Sequence, residues 1–319
     1  MHALAIGLLS LLLTADATAE PSQVTANSVQ MVERALPFLE KQATDWVEVR
    51  KCAACHHGPM MIWTHHEARR RGFAVNEKAL ADLETRTLDE YLNDPTMQPT
   101  GQDKGYLEKP LGPGTVFLAL GLKASETPGQ QAPRQQAIDR LNENFARHQN
   151  DDGSWTTKLD HQPIIDSHDC LTAEILLALD GNAAARQRAV AWLKSAPVRN
   201  ETQPLALRAA VARQAGDAAE AQRLADLLCA RQQESGGWSQ LDGMPCDAVA
   251  TGQALYVLGI TGAPVEVVER ARKFLAATQQ QDGSWAVHTR HENVKNDRVI
   301  TYFGTAWAVL GLLQAMPRR

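Results

Sequence analysis

The chain has 319 residues, of which 44% are hydrophobic and 22% charged, an ordinary composition for a globular protein. Its formal net charge is −5 and no Lys/Arg patch dominates, which excludes a basic nucleic-acid-binding surface. This length allows one large domain or two small ones.

The N-terminus reads as a secretory signal peptide. An apolar run from Leu4 to Leu13 is too short to span a bilayer, and Ala17-Thr18-Ala19 supplies small residues for cleavage. We therefore predict a signal peptide over 1–19, a mature domain over 20–319 with no membrane span, and a periplasmic or secreted location. An apolar first helix is the alternative.

The segment Cys52-Ala-Ala-Cys55-His56 has the C-x-x-C-H spacing of covalent haem c attachment. Two thiols add to the porphyrin vinyl groups, and the adjoining His56 lies under the iron as the proximal ligand. A C-x-x-C disulfide, a zinc site that includes His57, and simple burial are the alternatives. We expect haem c on Cys52, Cys55 and His56.

The second axial ligand of that iron is predicted to be Met97. It lies between Pro95 and Pro99, which hold the loop extended. A loop tip without a ligand role is the alternative, and the iron would then be five-coordinate.

Twelve segments along the chain have helical periodicity. Six are amphipathic and are predicted to be outer helices, since only one face is apolar. Six are apolar on most sides and are predicted to be inner helices. The outer set is 29–40, 77–93, 136–148, 186–195, 219–231 and 266–278; the inner set is 59–71, 114–123, 170–180, 203–215, 249–260 and 302–315. Stacked pairs bury a core that no pair buries alone, so about six hairpins predict an all-α fold, an α/α toroid.

Three turns share the motif Gln-x3-Gly-x-Trp: Gln149–Trp155, Gln232–Trp238 and Gln279–Trp285. Glycine permits a tight turn, tryptophan packs on an outer helix, and the Gln amide bonds free backbone groups. We interpret these motifs as structural.

The motif resembles the QW repeat of the squalene–hopene cyclase and protein prenyltransferase superfamily. That resemblance covers most of residues 28–319 and implies an α/α toroid. The stretch from Cys52 to Glu77 also looks like the haem-type segment of some exported bacterial proteins with cyclase-like repeats.

The resemblance implies an acid/base group before an inner helix. Superfamily cyclases carry D-x-D-D there, whereas this chain has Asp166-Ser-His168-Asp169-Cys170, which departs from that pattern. The predicted catalytic residues are Asp169, His168 and Asp247. Alternatives are helix N-caps, or zinc held either by Asp169, Cys170 and His161 or His168, or by Asp247 beside Cys246.

Two functions from different classes follow. The first is an exported haem c protein for electron transfer or haem-based sensing, with a redox protein or a small molecule as partner. The alternative is a cyclase- or prenyltransferase-like enzyme that acts on an isoprenoid in the barrel cavity, or a non-catalytic binding scaffold. The remaining cysteines, Cys170, Cys229 and Cys246, are odd in number; Cys170 and Cys246 either pair or are buried thiols.

Overall fold

The computed structural model describes residues 23–93, 111–157, 162–290 and 297–316. The predicted signal peptide and Met97 lie outside these residues. Within them the chain forms twelve α-helices and no β-strand, only an isolated bridge between Ser239 and Cys246. The helices are α1 (Gln23–Arg50), α2 (His57–Arg70), α3 (Glu77–Asn93), α4 (Pro113–Ala124), α5 (Gln131–Arg147), α6 (His168–Ala178), α7 (Ala183–Ser195), α8 (Thr202–Gln214), α9 (Ala218–Ala230), α10 (Ala248–Thr261), α11 (Val265–Thr278) and α12 (Asp297–Ala315).

The even-numbered helices form a closed inner ring. Each contacts the next around the ring, and α12 contacts α2, which completes the circle. The odd-numbered helices pack outside. This arrangement confirms the predicted all-α fold, an α/α toroid of six helix hairpins.

Burial follows the sequence pattern of each ring. In α8 every residue from Thr202 to Ala212 is buried, because an inner helix has neighbours on most sides. In the outer helix α9 the buried residues are Ala221, Leu224, Ala225 and Leu228, which form a single stripe at helical spacing.

The Gln-x3-Gly-x-Trp turns tie neighbouring hairpins together. In the first, Gln149 Nε2 donates to the Gly153 and Ala185 carbonyl oxygens, both at 2.9 Å. Trp155 is fully buried and its Nε1 donates to the Phe145 carbonyl oxygen at 2.7 Å. The structural interpretation of the motif is therefore confirmed, and each turn joins one outer helix to the next.

The last of these turns closes the ring. Gln279 Nε2 donates to the Met31 carbonyl oxygen of α1 at 2.9 Å. Gly283 has a φ of +87°, and a Cβ added there would lie 2.1 Å from the Arg34 carbonyl oxygen. Only glycine fits this approach, so the seam between the chain's two ends depends on Gly283.

The first helix is longer than predicted. The sequence predicts an outer helix over 29–40, but α1 continues to Arg50. Ala43 and Val47 remain buried, so the apolar stripe extends well beyond Pro37, which the helix accommodates. The C-x-x-C-H segment consequently occupies the short connection between α1 and α2.

Among the described residues, no helix combines the length and the apolar character needed to cross a membrane.

Candidate active-site cavity

A cavity of about 680 Å³ lies inside the inner ring and is lined by residues of all six inner helices. Its lining comes from the later turns of these helices, so it opens at their C-terminal ends. The volume falls within the range of about 300–1,000 Å³ that is usual for small-molecule sites.

Three aromatic side chains face one another in this cavity. The centroid of the Trp63 ring lies 5.5 Å from that of Trp307 and 6.1 Å from that of Tyr256, and the Tyr256–Trp307 separation is 5.8 Å. All three pairs are edge-to-face. Aromatic rings of this kind offer apolar contact and can stabilise a cation.

A buried carboxyl group, Glu174 of α6, lines the same cavity. Glu174 is 1% exposed and neither of its oxygens has a hydrogen-bond partner. Burial raises its pKa well above the ordinary value, because desolvation disfavours the charged carboxylate. Two more cavity-lining atoms are buried without a partner, Gln253 Nε2 and Trp307 Nε1. Such a set of unsatisfied polar groups is the expected sign of a ligand site.

The mouth of the cavity is basic. Its lining includes four cations, against the carboxyl groups of Glu67 and Glu174: Arg70, Arg71, Lys123 and Arg213. Arg70 pairs with Glu67, and Arg71 donates to Gln314 Oε1 at 2.7 Å.

The predicted acid/base residues do not line this cavity. His168 and Asp169 stand in the first turn of α6, and Asp247 caps α10, at the ends of these helices remote from the cavity mouth. Asp247 Oδ1 accepts from the Ala250 amide at 3.0 Å, and Oδ2 accepts from Gln240 Nε2 at 2.8 Å. The alternative interpretation of Asp247 as an N-cap is thus confirmed, and burial raises its pKa to about 6.

Asp169 and His168 make separate contacts. The Ser167 hydroxyl bonds to Asp169 Oδ1, while Asp169 Oδ2 is buried without a partner. His168 Nε2 lies 3.2 Å from the Thr157 carbonyl oxygen. No described contact joins these side chains to one another or to Asp247, so the predicted acid/base group is not assembled as a unit. Cys170, Cys229 and Cys246 are all free thiols, and the Cys170–Cys246 pairing is absent.

The C-x-x-C-H segment lies at the N-terminal end of α2, whereas Trp63, Glu67 and Arg70 of the same helix line the cavity. Trp46 Nε1 donates to Cys55 Sγ at 3.1 Å. The Cys52 thiol also bonds to the Cys55 sulfur, which lowers the pKa of Cys55 and raises that of Cys52.

The neighbouring His57 is fully buried. Its ring stacks between Trp46 at 4.2 Å and Tyr302 at 4.0 Å, and burial lowers its pKa to about 2. His57 is thus held in an aromatic stack between α1 and α12. Among the described residues, no group of three or more His, Cys, Asp or Glu side chains is arranged to hold a metal ion.

The fold is similar to that of solved terpene cyclases. Type II terpene cyclase MstE from Scytonema, in complex with geranylgeranyl dihydroxybenzoate (substrate), superposes with a TM-score of 0.63 and 15% sequence identity, covering 92% of this chain and 98% of that one. A variant of MstE with merosterolic acid A (product) gives a TM-score of 0.61 at 15% identity and the same coverage.

A protein from Actinoplanes gives a TM-score of 0.56 at 16% identity, covering 80% of this chain and 89% of that one. No protein-family model and no curated protein matches the sequence. Because the sequence identity is only 15–16%, these similarities concern the fold alone, which is a terpenoid cyclase-like α/α toroid.

These comparisons overturn the first functional hypothesis. Two of the similar structures are named as type II terpene cyclases and hold a substrate or a product, which favours the cyclase-like alternative over electron transfer or haem-based sensing. The prediction that the chain is a cytochrome-like, iron-dependent electron carrier was wrong. It rested on the C-x-x-C-H spacing alone, whereas the fold of the whole barrel is similar to that of solved terpene cyclases. Attachment of haem c at Cys52 and Cys55 is a separate matter and stays a prediction.

Glu174 was not among the residues predicted from sequence. The signal was present, because Glu174 is the one charged residue within Leu171–Leu179, an otherwise apolar stretch of an inner helix. A charged residue there must be paired or functional, since burying it uncompensated is costly. The prediction instead fell on the start of α6, where the superfamily carries its aspartates.

Proposed function

We propose that the chain is an enzyme that rearranges an isoprenoid inside the barrel cavity, with Glu174 as the proton donor. The observation that carries this proposal is a fully buried, unpaired carboxyl group in a cavity lined by Trp63, Tyr256 and Trp307. The fold shared with proteins named as terpene cyclases supports it.

The environment of Glu174 indicates what it protonates. A carboxylic acid with a raised pKa holds its proton more firmly than an ordinary carboxylic acid and is therefore a weaker acid. It transfers that proton more readily to an oxygen atom than to an unactivated carbon–carbon double bond. We therefore propose a substrate with an oxygen function, such as an epoxide, on its deeply bound end.

The reaction that follows is a balanced isomerisation. The Glu174 proton moves to the epoxide oxygen, the C–O bond breaks, and the electron pair stays on that oxygen as a hydroxyl group. The carbocation left behind accepts electrons from a neighbouring double bond, and loss of a proton from an adjacent carbon to solvent water ends the sequence. Glu174 then takes up one proton from solvent before the next turnover. Faces of the three aromatic rings stabilise the cationic stages, and the net gain and loss of protons is zero.

The group predicted from sequence is the second candidate for the acid. Asp169 Oδ2 is buried and unpaired, which is the observation that favours it, with His168 as its sequence neighbour. Asp247 is the weaker member, because both of its oxygens already accept hydrogen bonds.

The test uses purified protein and a panel of terminal epoxides of polyprenyl alcohols and acids, with products analysed by gas chromatography–mass spectrometry. We expect cyclic isomers of unchanged mass. Glu174→Gln should abolish their formation, while Asp169→Asn, a matched carboxyl-to-amide change outside the cavity, retains turnover. Full turnover by Glu174→Gln would remove Glu174 from the role, and loss in Asp169→Asn alone would assign it to the second candidate.

We also propose that residues 1–19 are removed on export, which places the mature enzyme in the periplasm or outside the cell. The apolar run before Ala17-Thr18-Ala19 supports this. N-terminal sequencing of protein recovered from the periplasm should begin near residue 20; a chain that retains Met1 would contradict export with cleavage.

A further inference from the structure

The charge at the cavity mouth is opposite to that of the whole chain. The chain carries a net charge of −5, yet four cations line the cavity against two carboxyl groups, Glu67 and Glu174. Glu67 is already paired with Arg70. The cations that line the cavity therefore outnumber the carboxyl groups that line it, in a chain that is acidic as a whole.

Two of these cations have donors to spare. Lys123 Nζ lies 3.4 Å from the Leu177 carbonyl oxygen, and Arg213 Nε donates to the Ile260 carbonyl oxygen at 3.2 Å. Neither forms an ion pair with a residue in the part of the chain that the structure describes. A lysine has three N–H donors and an arginine five, so most of their capacity remains for a ligand.

The helices that carry these two side chains flank the helix that carries Glu174. Lys123 belongs to α4 and Arg213 to α8, and both helices contact α6, which carries Glu174. The partial negative charge at a helix C-terminus also favours a cation that contacts the carbonyl oxygens there. This interaction uses only one donor of each of the two side chains. Both side chains are exposed at the mouth, where a ligand can reach their remaining donors.

Polarity thus changes along the cavity, from aromatic and uncharged at the level of Trp63 and Glu174 to cationic at the mouth. An anion is costly at the inner level and favourable at the mouth, since desolvated charges need partners. We propose that the cavity takes an amphiphile whose anionic head, a carboxylate or a phosphate, binds Lys123 and Arg213 while its apolar tail extends to Glu174. This inference deepens the proposed function and rests on it for the tail's reaction, although head-group binding is measurable without turnover.

The test is isothermal titration calorimetry of the full mature protein with three probes of equal tail: farnesol, farnesoic acid and farnesyl monophosphate. We expect both anions to bind about tenfold or more tightly than farnesol, and this advantage to shrink as salt is added. A larger gain for the monophosphate identifies a phosphate site, and equal gains identify a site for any anion.

The variant Lys123→Met/Arg213→Gln should bring both anions down to the affinity of farnesol and leave farnesol unchanged. Lys194→Met/Arg223→Gln is the matched control, because these cations are paired with Asp217 and Glu220 on outer helices. Circular dichroism verifies that each variant is folded. Equal affinity of the three probes, failure of every probe to bind, or an unchanged anion preference in the cavity variant would each overturn the proposal. Glu174→Gln should retain the anion preference, so loss of turnover and loss of head-group binding are separable outcomes.

Discussion

Replacement of Glu174 by glutamine should make the stability of the protein less dependent on pH. The buried carboxyl group has a raised pKa, so the native state keeps a proton that the unfolded chain has already released. The unfolded state then binds fewer protons than the native state, and the free energy of unfolding falls as pH rises above the ordinary range of glutamate. The amide in the Glu174→Gln variant does not titrate, so this fall is removed.

The slope sets the magnitude of the effect. One proton contributes about 1.4 kcal/mol per pH unit over the interval between the unfolded and native pKa values. Glu174→Gln should therefore match the wild type near pH 4 and exceed it progressively at higher pH. Glu174→Met also removes the unpaired polar atoms, and should therefore raise the free energy of unfolding by about 1–3 kcal/mol at every pH.

Urea unfolding followed by circular dichroism, at half-unit steps from pH 4 to pH 8, measures both variants against the wild type. Other titrating groups cancel in the difference, because they are common to the three proteins. Parallel curves for Glu174→Gln and the wild type would refute the reasoning, since they would mean that Glu174 titrates alike in the folded and unfolded states.

The other predictions concern the ring and its caps. Gly283→Ala should lower the free energy of unfolding by about 1–3 kcal/mol, which is more than Gly262→Ala should. Both glycines have a positive φ, but only at Gly283 would an added Cβ lie within 4 Å of neighbouring atoms. Equal losses for the two variants in urea titrations would contradict a tight seam. Trp285→Phe should lower the free energy of unfolding by about 1 kcal/mol more than Trp307→Phe. The reason is that Trp285 Nε1 donates to the Leu275 carbonyl oxygen at 2.8 Å, whereas Trp307 Nε1 has no partner. Thermal unfolding of the two variants measures this difference. Asp247→Ala should lower the free energy of unfolding by about 0.5–2 kcal/mol, because it removes an N-cap. The loss should be largest near pH 4, because the native pKa of Asp247 is raised to about 6 and its contribution to stability therefore declines between pH 4 and pH 6. A loss that grows over this interval would show that the native pKa is shifted in the opposite direction.

The fold was accessible from sequence because its repeats are periodic. The inner helices are apolar on most sides and the outer ones on one face, and this difference alone orders the twelve helices into two rings. The helix α3 begins and ends where predicted, at Glu77 and Asn93. The prediction for α1 stopped at residue 40, whereas the helix continues to Arg50 and its later turns still bury Ala43 and Val47.

The site was less accessible for a physical reason. Trp63, Glu174 and Tyr256 come from helices far apart in sequence, and only closure of the ring brings them to one cavity. A sequence pattern shows which residues belong to inner helices, but it does not show which of their side chains line a cavity. The eye-catching Cys52–His56 motif lies at the opposite end of α2, so attention to it led away from the cavity.

The bond between Gln279 and Met31 has a consequence for how the molecule holds together. Open arrays of helical hairpins need atypical terminal repeats with polar outer faces, because each end otherwise exposes the apolar surface meant for a neighbour. In this ring the sixth hairpin covers the first, and each serves as the other's cap. Deleting either terminal hairpin would therefore uncover two apolar faces rather than one, and the remaining five could not fray one at a time.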